Sequence, residues 1–541
     1  MAKGYRPVRR DQSFLLPPDM REWLPGDHPV WLVIAVVEDH LDTSAFHARR
    51  RTGGAGTAGF DPDMLVMLLA WAYANGVTSS RRIEAACWQD VSFRVICAGD
   101  VPDHVTIARF RAAFPGAVED LFASVLVLCA RLGMGSLGMV ALDGMKIAAN
   151  ASRSANRTEE GLRKLAAESV AAHAAADAAG DAAAGRRARG GRVPPPGGPG
   201  RDERIAAALA QITAGRRERE RQENAAGQEY LARAAAGQPG PPPASVAVTA
   251  AAARLDRARA ARAAQLTELE RRAAGPAVTG RRRDRPRAGA EDYCLVKVAR
   301  EALGKAQARA AAQASAAARP GRGPVRNITD PDSRLMPTRN GFIQGYNAQN
   351  VTSADGLIIA TELTRDTTDT AWFEPMLRHA EDAAALITGC QPAPASPDPA
   401  SPDSKIGLML ADAGYLSAAN LTTSGPDRLI ATGKHRDLEK TARHATPPGS
   451  GEDRQDRQDD PIAAMTARLA TPEGITAYRQ RSHIAETPHG NIKHNKRFRQ
   501  LTLRGLPGAS AEWRFAATIH NLFKAITAGH LTPAALAALA A

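Results

Sequence analysis

Residues 138–148 read GMVALDGMKIA. A short apolar run interrupted by one carboxylate predicts a buried strand carrying Asp143. Burying such a charge is costly unless it is paired or bound to a metal. A second case lies far downstream. Residues 406–415, IGLMLADAGY, predict a strand with Asp412 at its C-terminal end. One such aspartate is ordinary and would be explained by structural hydrogen bonds. Two of them, in the contexts LDG and ADAG, point toward a shared site.

The rest of 340–435 reads as an α/β unit around the second aspartate. GFIQGYNAQNVTS and GLIIATELT predict two strands joined across Ala354-Asp355-Gly356, a hairpin signal. Residues 371–387 predict an amphipathic helix, and RLIATG another short strand. The polar stretches 391–405 and 443–460 predict surface loops. The segment 461–541 reads as helical, is basic at its start and ends in LTPAALAALAA.

Residues 1–135 read as mostly helical. Met64–Ala74 is an apolar helix behind the breaker Asp61-Pro62, and residues 79–89 have polar starts followed by Ile83 and Ala86 at helical spacing. SFRVICA, the turn GDVPD and HVTIARFRAAF follow. Asp103 can cap the last helix, with Val105, Ile107 and Phe110 facing a core and His104, Thr106, Arg109 and Arg111 outside. Two short helices with exposed Arg and Thr on the second fit a helix-turn-helix over 79–114. A plain helical bundle with a solvated basic face fits as well.

Residues 152–325 are dominated by Ala, Arg, Gly and Pro, and include VPPPGGPG, QPGPPPAS and GRRRDRPR. Helix formers recur in RIAAALAQI and AAQLTELERR, but large apolar residues are too few for a core. This predicts helical arms joined by linkers. Its arginines could touch phosphates, or simply be solvated.

The 541 residues suggest three or four domains at roughly 150 residues each, and 44% apolar content allows a sizeable core. The net charge of +13 favours polyanionic partners, nucleic acid before an anionic membrane. Five cysteines without a Cys-x-x-Cys pair argue against a disulfide framework and a cysteine-rich zinc site. A reducing cytoplasm is the simple expectation. MAKGYRPVRRDQSF lacks a signal-peptide apolar region, and residues 30–37 are too short to span a bilayer.

A third carboxylate, Glu486, lies in SHIAETPHGNIKHNKRFR. From Arg479 to Arg504 there are seven Lys or Arg residues, among them Lys496 and Arg497, and this one acid. Charge pattern alone favours a salt bridge for it. His483, His489 and His494 do not share the face of a zinc pair, so solvent or phosphate contact is expected. Asp330 and Asp332 in TDPDSRLM suit an Asx turn better than a metal.

LDGMKIAANAS, NITDPDSRLM, GFIQGYNAQNV, LADAGYLS and the series Tyr478, Arg481, Glu486, Lys493 resemble the DDE transposases of bacterial insertion sequences. FDPDMLVMLLAWAYANGVTSSRRIEAACWQDVSFRVI resembles the helical N-terminal domain of the InsH-like branch, and EWRFAATIHNLFKAI its closing helix. The resemblance covers roughly 10–155 and 325–525. Single motifs are weakly specific, and their order along one chain is strongly so.

The resemblance implies an RNase H-like α/β core, a mixed sheet flanked by helices. The implied division is a helical DNA-binding domain at 1–135, the first core strand in 136–151, an insertion at 152–325, the remaining core at 326–525 and a tail at 526–541. It implies Asp143, Asp412 and Glu486 as catalytic and metal-binding residues, holding two Mg²⁺ ions that Mn²⁺ could replace. Tyr478, Arg481 and Lys493 would hold DNA phosphates, as would Lys496, Arg497, Arg109, Arg111, and Lys146 and Asn150 just after Asp143. Glu486 and Lys493 are seven residues apart, about two helical turns, so both can face one side. Two departures stand out. The gap from Arg481 to Glu486 is one residue longer than in the better-studied relatives, and Pro488 cannot sit mid-helix without a kink.

The implied partners are duplex DNA, both element terminal repeats and target, and a second copy of the chain, in the cytoplasm at the nucleoid, with no membrane and no small-molecule substrate. Two alternatives stay open: a nuclease of the same fold without strand transfer, and a catalytically dead DNA-binding remnant.

Overall fold

The computed structural model of the chain describes residues 19–48, 59–113, 115–183, 200–236, 240–274, 289–318, 323–392, 406–433 and 460–540. The cluster GRRRDRPR, the loop at 393–405, most of 443–460 and the first 18 residues lie outside the described residues. The chain divides into two compact units, Met1–Ser154 with Asp332–Ala541, and Ala155–Pro331.

The strands, in chain order, are β1 (Met139–Ala148), β2 (Asn156–Thr158), β3 (Val325–Asn327), β4 (Arg334–Thr338), β5 (Gly341–Ser353), β6 (Ile358–Thr364), β7 (Leu408–Ala411) and β8 (Asp427–Ile430). In the first unit β5 pairs antiparallel with β1, β4 and β6, while β1, β7 and β8 run parallel. The result is a mixed sheet with β1 at its centre. The expected strand at 138–148 and the hairpin across Ala354-Asp355-Gly356 are both present. Residues 344–353 of β5 are all buried, as a strand covered on both faces requires. At Gly345 a Cβ would lie 2.1 Å from the Ile147 carbonyl oxygen, so only glycine lets β5 approach β1 there.

Alternation along β1 sorts its side chains between layers. Val140 and Leu142 join a cluster with Phe373, Met376 and Ile387 of the Phe373–Cys390 helix. Ala141 joins Leu410, Met465, Leu469 and Ile484. Met145 and Ile147 join the N-terminal helices and the Leu506–Thr527 helix. Asp143 shares the face of Ala141 and Met145, toward the 461–495 segment.

The helices of 1–135 are therefore not a body apart. Leu68 of Pro62–Ala74, Ile83 of Ser80–Gln89 and Ile107 of His104–Ala113 share one core with Trp513 and Ile519. Asp61 caps the first of these helices by accepting from the Asp63 N–H at 3.0 Å, with Pro62 in its first turn. The stretch SFRVICA contributes a helix of its own, Val91–Ile96. In His104–Ala113, Ile107 and Phe110 are buried as expected, but Val105 is exposed. Arg109 is exposed.

Arg111, expected outside, is turned inward. Its guanidinium donates to the Thr78 carbonyl at 2.6 Å, the Ser80 hydroxyl at 3.2 Å and the Tyr73 hydroxyl at 3.3 Å. Tyr73 in turn donates to Glu512 Oε1 at 2.7 Å. Glu512, which also accepts from the Thr502 and Leu503 N–H groups, adds its negative charge to the attraction of the Arg111 cation.

The second unit pairs β2 with β3 and contains the long helices Glu159–Ala183, Arg201–Ala235, Ala247–Ala274 and Cys294–Ala318. Helical arms were expected. Its apolar contacts form two small clusters, Leu162 with Ile205 and Ile212, and Leu255 with Val296. Arg254, Arg257, Lys305 and Arg309 line a cleft of about 780 Å³ in this unit. No single helix among the described residues is long and apolar enough to cross a membrane.

Candidate active site

Leu142 pairs with Ala411 in the parallel β1–β7 ladder, so Asp143 and Asp412 each stand one residue beyond the last pair. Backbone register alone thus brings together two carboxylates separated by about half of the chain. Asp143 accepts from the Arg481 guanidinium at 3.1 Å, and Arg481 lies 3.8 Å from Asp412. One cation therefore sits between the two acids. Asp412 Oδ1 also accepts from the Gly414 N–H at 2.9 Å, which fixes the turn after β7.

The two carboxyls titrate in opposite directions. Burial pushes Asp143 up, but the hydrogen bond and charge of His489 and the charge of Arg481 outweigh it, and its pKa falls below the usual value. Asp412 is raised, first by burial and then by the negative charge of Asp143. Acids pushed apart in this way mark a site rather than a pair of surface charges.

Glu486 is exposed and lies close enough to Arg481 to add to the stabilisation of its charge. The expected plain helix from 478 to 493 is not what forms. Pro472–Arg481 runs into a π-helical turn at Ser482–Glu486, an α turn at Thr487–Gly490, and a second π turn at Asn491–Asn495. A π turn closes i→i+5 and takes up one residue more than an α turn. The extra residue between Arg481 and Glu486 is absorbed there. Pro488 falls in the first turn after the bulge, where its missing N–H and its ring are tolerated. Because of the wider turns, a seven-residue spacing no longer equals two turns, so the same-face argument for Glu486 and Lys493 does not carry over.

Several expected phosphate contacts are instead spent inside the fold. Lys146 pairs with Asp369 at 3.1 Å. Lys496 is buried, donates to the Ile519 carbonyl at 3.0 Å and lies 4.8 Å from the Phe523 ring centroid. Asn150 donates to the Thr502 carbonyl at 2.7 Å. Asp332 accepts from the distant Leu506 N–H at 2.9 Å. In each case the donor is held by an acceptor within the fold. Lys493 donates to the Lys146 carbonyl at 3.0 Å and remains part-exposed, with its pKa lowered by burial. The Tyr478 hydroxyl donates to the Ala411 carbonyl at 3.3 Å, and burial pushes its pKa up to about 12. Arg497 stays exposed.

His489, expected at solvent or phosphate, is buried against the acids. Asn350, opposite Asp143 in the ladder, accepts from the Thr361 hydroxyl through Oδ1, so its amide N–H faces His489 Nε2 at 2.8 Å. The other ring nitrogen, Nδ1, lies 3.7 Å from Asp143. Asp369, which the sequence did not single out, accepts from Asn347 and Gln349 as well as Lys146. The sequence marked His489 only as a solvent or phosphate contact and Asp369 not at all, since both placements depend on which strands lie side by side.

Oxygen-rich, half-buried acids suit a hard divalent cation. Arg481 Nε is buried without a hydrogen-bond partner, so this guanidinium is held by charge more than by a full set of bonds. Among the described residues, only His47, Asp61 and Asp63 bring three candidate ligand atoms within 4.8 Å of one another. Asp143, Asp412 and Glu486 are thus gathered around Arg481 without closing to that distance.

The site is thus an acidic cluster beside a basic helical segment, at the C-terminal ends of parallel strands. Residues 18–113 match the family described as transposase domain (DUF772), and residues 452–526 match the transposase DDE domain. The chain carries an N-terminal and a C-terminal transposase domain, consistent with a DDE-type insertion-sequence transposase. The second match contains Tyr478, Arg481, Glu486 and Lys493, while Asp143 and Asp412 lie outside both. No curated protein and no solved structure matches the chain significantly.

Proposed function

We propose that the protein is an active DNA transposase with an RNase H-like core, and that Asp143, Asp412 and Glu486 form its catalytic triad. One observation carries this reading. The β1–β7 register sets Asp143 beside Asp412, and a guanidinium from the matched DDE segment, five residues before Glu486, joins them. Strand order supports the core assignment: an antiparallel β6–β5–β1 set followed by parallel β7 and β8.

The three acids would hold Mg²⁺, which polarises the scissile phosphate and lowers the pKa of a bound water. Hydrolysis at the element end would release a 3′-hydroxyl, and that hydroxyl would then attack target DNA. Both steps are in-line displacements at phosphorus, so one site serves for both. His489, with Nδ1 toward Asp143, would help hold that carboxylate ionised and oriented. Tyr478, Arg481, Lys493 and the exposed Arg497 and Arg109 would engage DNA phosphates, and a second copy of the chain would bring the two ends together.

The test uses the full chain, labelled element-end duplex and Mg²⁺. Cleavage and joining are expected from the wild type, while Asp412→Asn binds the duplex without cutting it. Cleavage without joining would select the nuclease reading, and binding without cleavage by the wild type the inactive remnant. Undiminished cleavage by Asp412→Asn would remove the proposed triad.

A further inference from the structure

Asp369 lies between β6 and the Phe373–Cys390 helix, immediately before the short turn Thr370–Trp372. Its Oδ1 accepts from three side chains on two strands: Asn347 at 2.6 Å, Gln349 at 2.8 Å and Lys146 at 3.1 Å. Lys146 and Asn347 are directly opposed in the β1–β5 ladder, and Gln349 is opposed to Gly144. These side chains line one face, and the gap at Gly144 admits the carboxylate. A Cβ on Gly144 would lie 2.7 Å from Asp369 Oδ1.

The other oxygen faces the catalytic turn. A Cβ on Gly414 would lie 2.9 Å from Asp412 Oδ1 and 3.3 Å from Asp369 Oδ2, so the two carboxylates close over one glycine. The neighbouring residues tie the same two segments together. The Thr370 hydroxyl donates to the Gly414 carbonyl at 2.8 Å. Asn420 donates to the Thr370 carbonyl at 2.8 Å and the Tyr415 carbonyl at 2.7 Å, and the Tyr415 hydroxyl donates to Gln349.

A carboxylate that only braced a loop would gain by turning both oxygens toward donors. Here one oxygen takes three donors and the other is held toward a second acid, an arrangement that costs stability unless the charge is used. Asp143 and Asp412 meet Arg481, and Asp369 meets Lys146, so these acids outnumber these cations even before Glu486 is counted. Without Asp369, the Lys146 ammonium would lose its carboxylate partner.

We propose that Asp369 is a positioning residue of the Asp143–Asp412–Glu486 site, which anchors the Asp412 turn to β1 and β5 and holds the Lys146 ammonium away from the space between the catalytic acids. The proposal deepens the transposase reading and rests on it for the identity of those acids.

The test is calorimetric Mn²⁺ binding to the DNA-free full-length protein, with cleavage followed in parallel. Asp369→Asn is expected to weaken Mn²⁺ binding at least about 5-fold, and Asp369→Asn/Lys146→Met to return it to within about 2-fold of wild type. The Mg²⁺ concentration for half-maximal cleavage should shift in the same order. Unchanged Mn²⁺ binding by Asp369→Asn overturns the proposal. So does equal weakening in the single and double variants, since a bracing role alone gives no rescue. Should Asp369→Asn fail to fold, Gly414→Ala substitutes for it. Its Cβ forces the two carboxylates apart on an exposed turn, and wild-type Mn²⁺ binding by that variant would equally overturn the proposal. A wild type that binds Mn²⁺ but never cuts DNA would remove the transposase reading instead, leaving the metal-binding comparison to stand on its own.

Discussion

Arg481 reaches across the sheet end to Asp143 at 3.1 Å and to Asp412 at 3.8 Å, and so occupies the space where the two acids face one another. Asp143 and Arg481 are both largely buried, with side-chain exposures of 15% and 13%. Breaking one partner of such a pair leaves an uncompensated charge, at about 3 kcal/mol. Arg481→Met should lower the stability of the metal-free protein by about that amount in urea unfolding. Added Mn²⁺ should restore more stability to the variant than to the wild type, because the divalent ion then neutralises acids that Arg481 no longer serves. Equal Mn²⁺ stabilisation of both proteins would show that the guanidinium and the ion do not share those carboxylates.

Glu486 separates catalysis from stability. It is exposed, and surface substitutions usually change stability by less than about 0.5 kcal/mol. Glu486→Gln should therefore unfold at the wild-type urea midpoint. Groups one shell out from a metal already cost 10–100-fold, so loss of a ligand should reduce end cleavage at least about 100-fold. Near-normal cleavage would place the third acid elsewhere.

Arg109 and Arg111 lie two residues apart and should behave as opposites. Arg111 ties Thr78, Ser80 and Tyr73 to the Glu512 network. Arg111→Met should destabilise by about 2–4 kcal/mol, as buried unsatisfied groups do, without changing the salt dependence of DNA binding. Arg109→Met should leave stability alone and make the slope of log K against log salt shallower by about 1, the loss of one phosphate contact. Salt titrations of duplex binding beside urea melts decide the pair.

Lys496 gives a pH signature. Burial lowers its pKa from the ordinary 10.5 to about 7. Between those values the unfolded chain binds the proton and the folded chain does not, so stability increases with pH across the window. Relative to Lys496→Met, the wild type should gain up to about 1.4 kcal/mol per pH unit from about pH 7 toward pH 10. Urea unfolding of both proteins at four or five pH values measures this. A flat difference would mean that the ammonium keeps its proton inside the fold.

Much of the site was legible before the fold was known, and for a definite reason. Asp143 and Asp412 stand out because apolar strands tolerate a carboxylate only with a partner. Strand and helix signals are local, so β1, the β5–β6 hairpin, the Pro62–Ala74 helix and the helical arms of 152–325 could be read from periodicity and breakers. The family resemblance added Glu486 and the basic residues around it.

What local pattern could not supply was direction and partnership. Arg111 and Lys496 look like surface cations in sequence, yet Arg111 turns inward to the Tyr73–Glu512 pair and Lys496 to the Ile519 carbonyl. Lys146 is claimed by Asp369, and His489 by Asn350 and Asp143, because β1 and β5 happen to lie side by side. The extra residue before Glu486 looks like a misalignment until a π turn absorbs it. Sequence alone determined which residue types could do the chemistry and which segments carry them, since both are properties of a short stretch of chain. Only the tertiary structure decided which charges meet, because a buried ion finds its counter-ion through space and not along the chain.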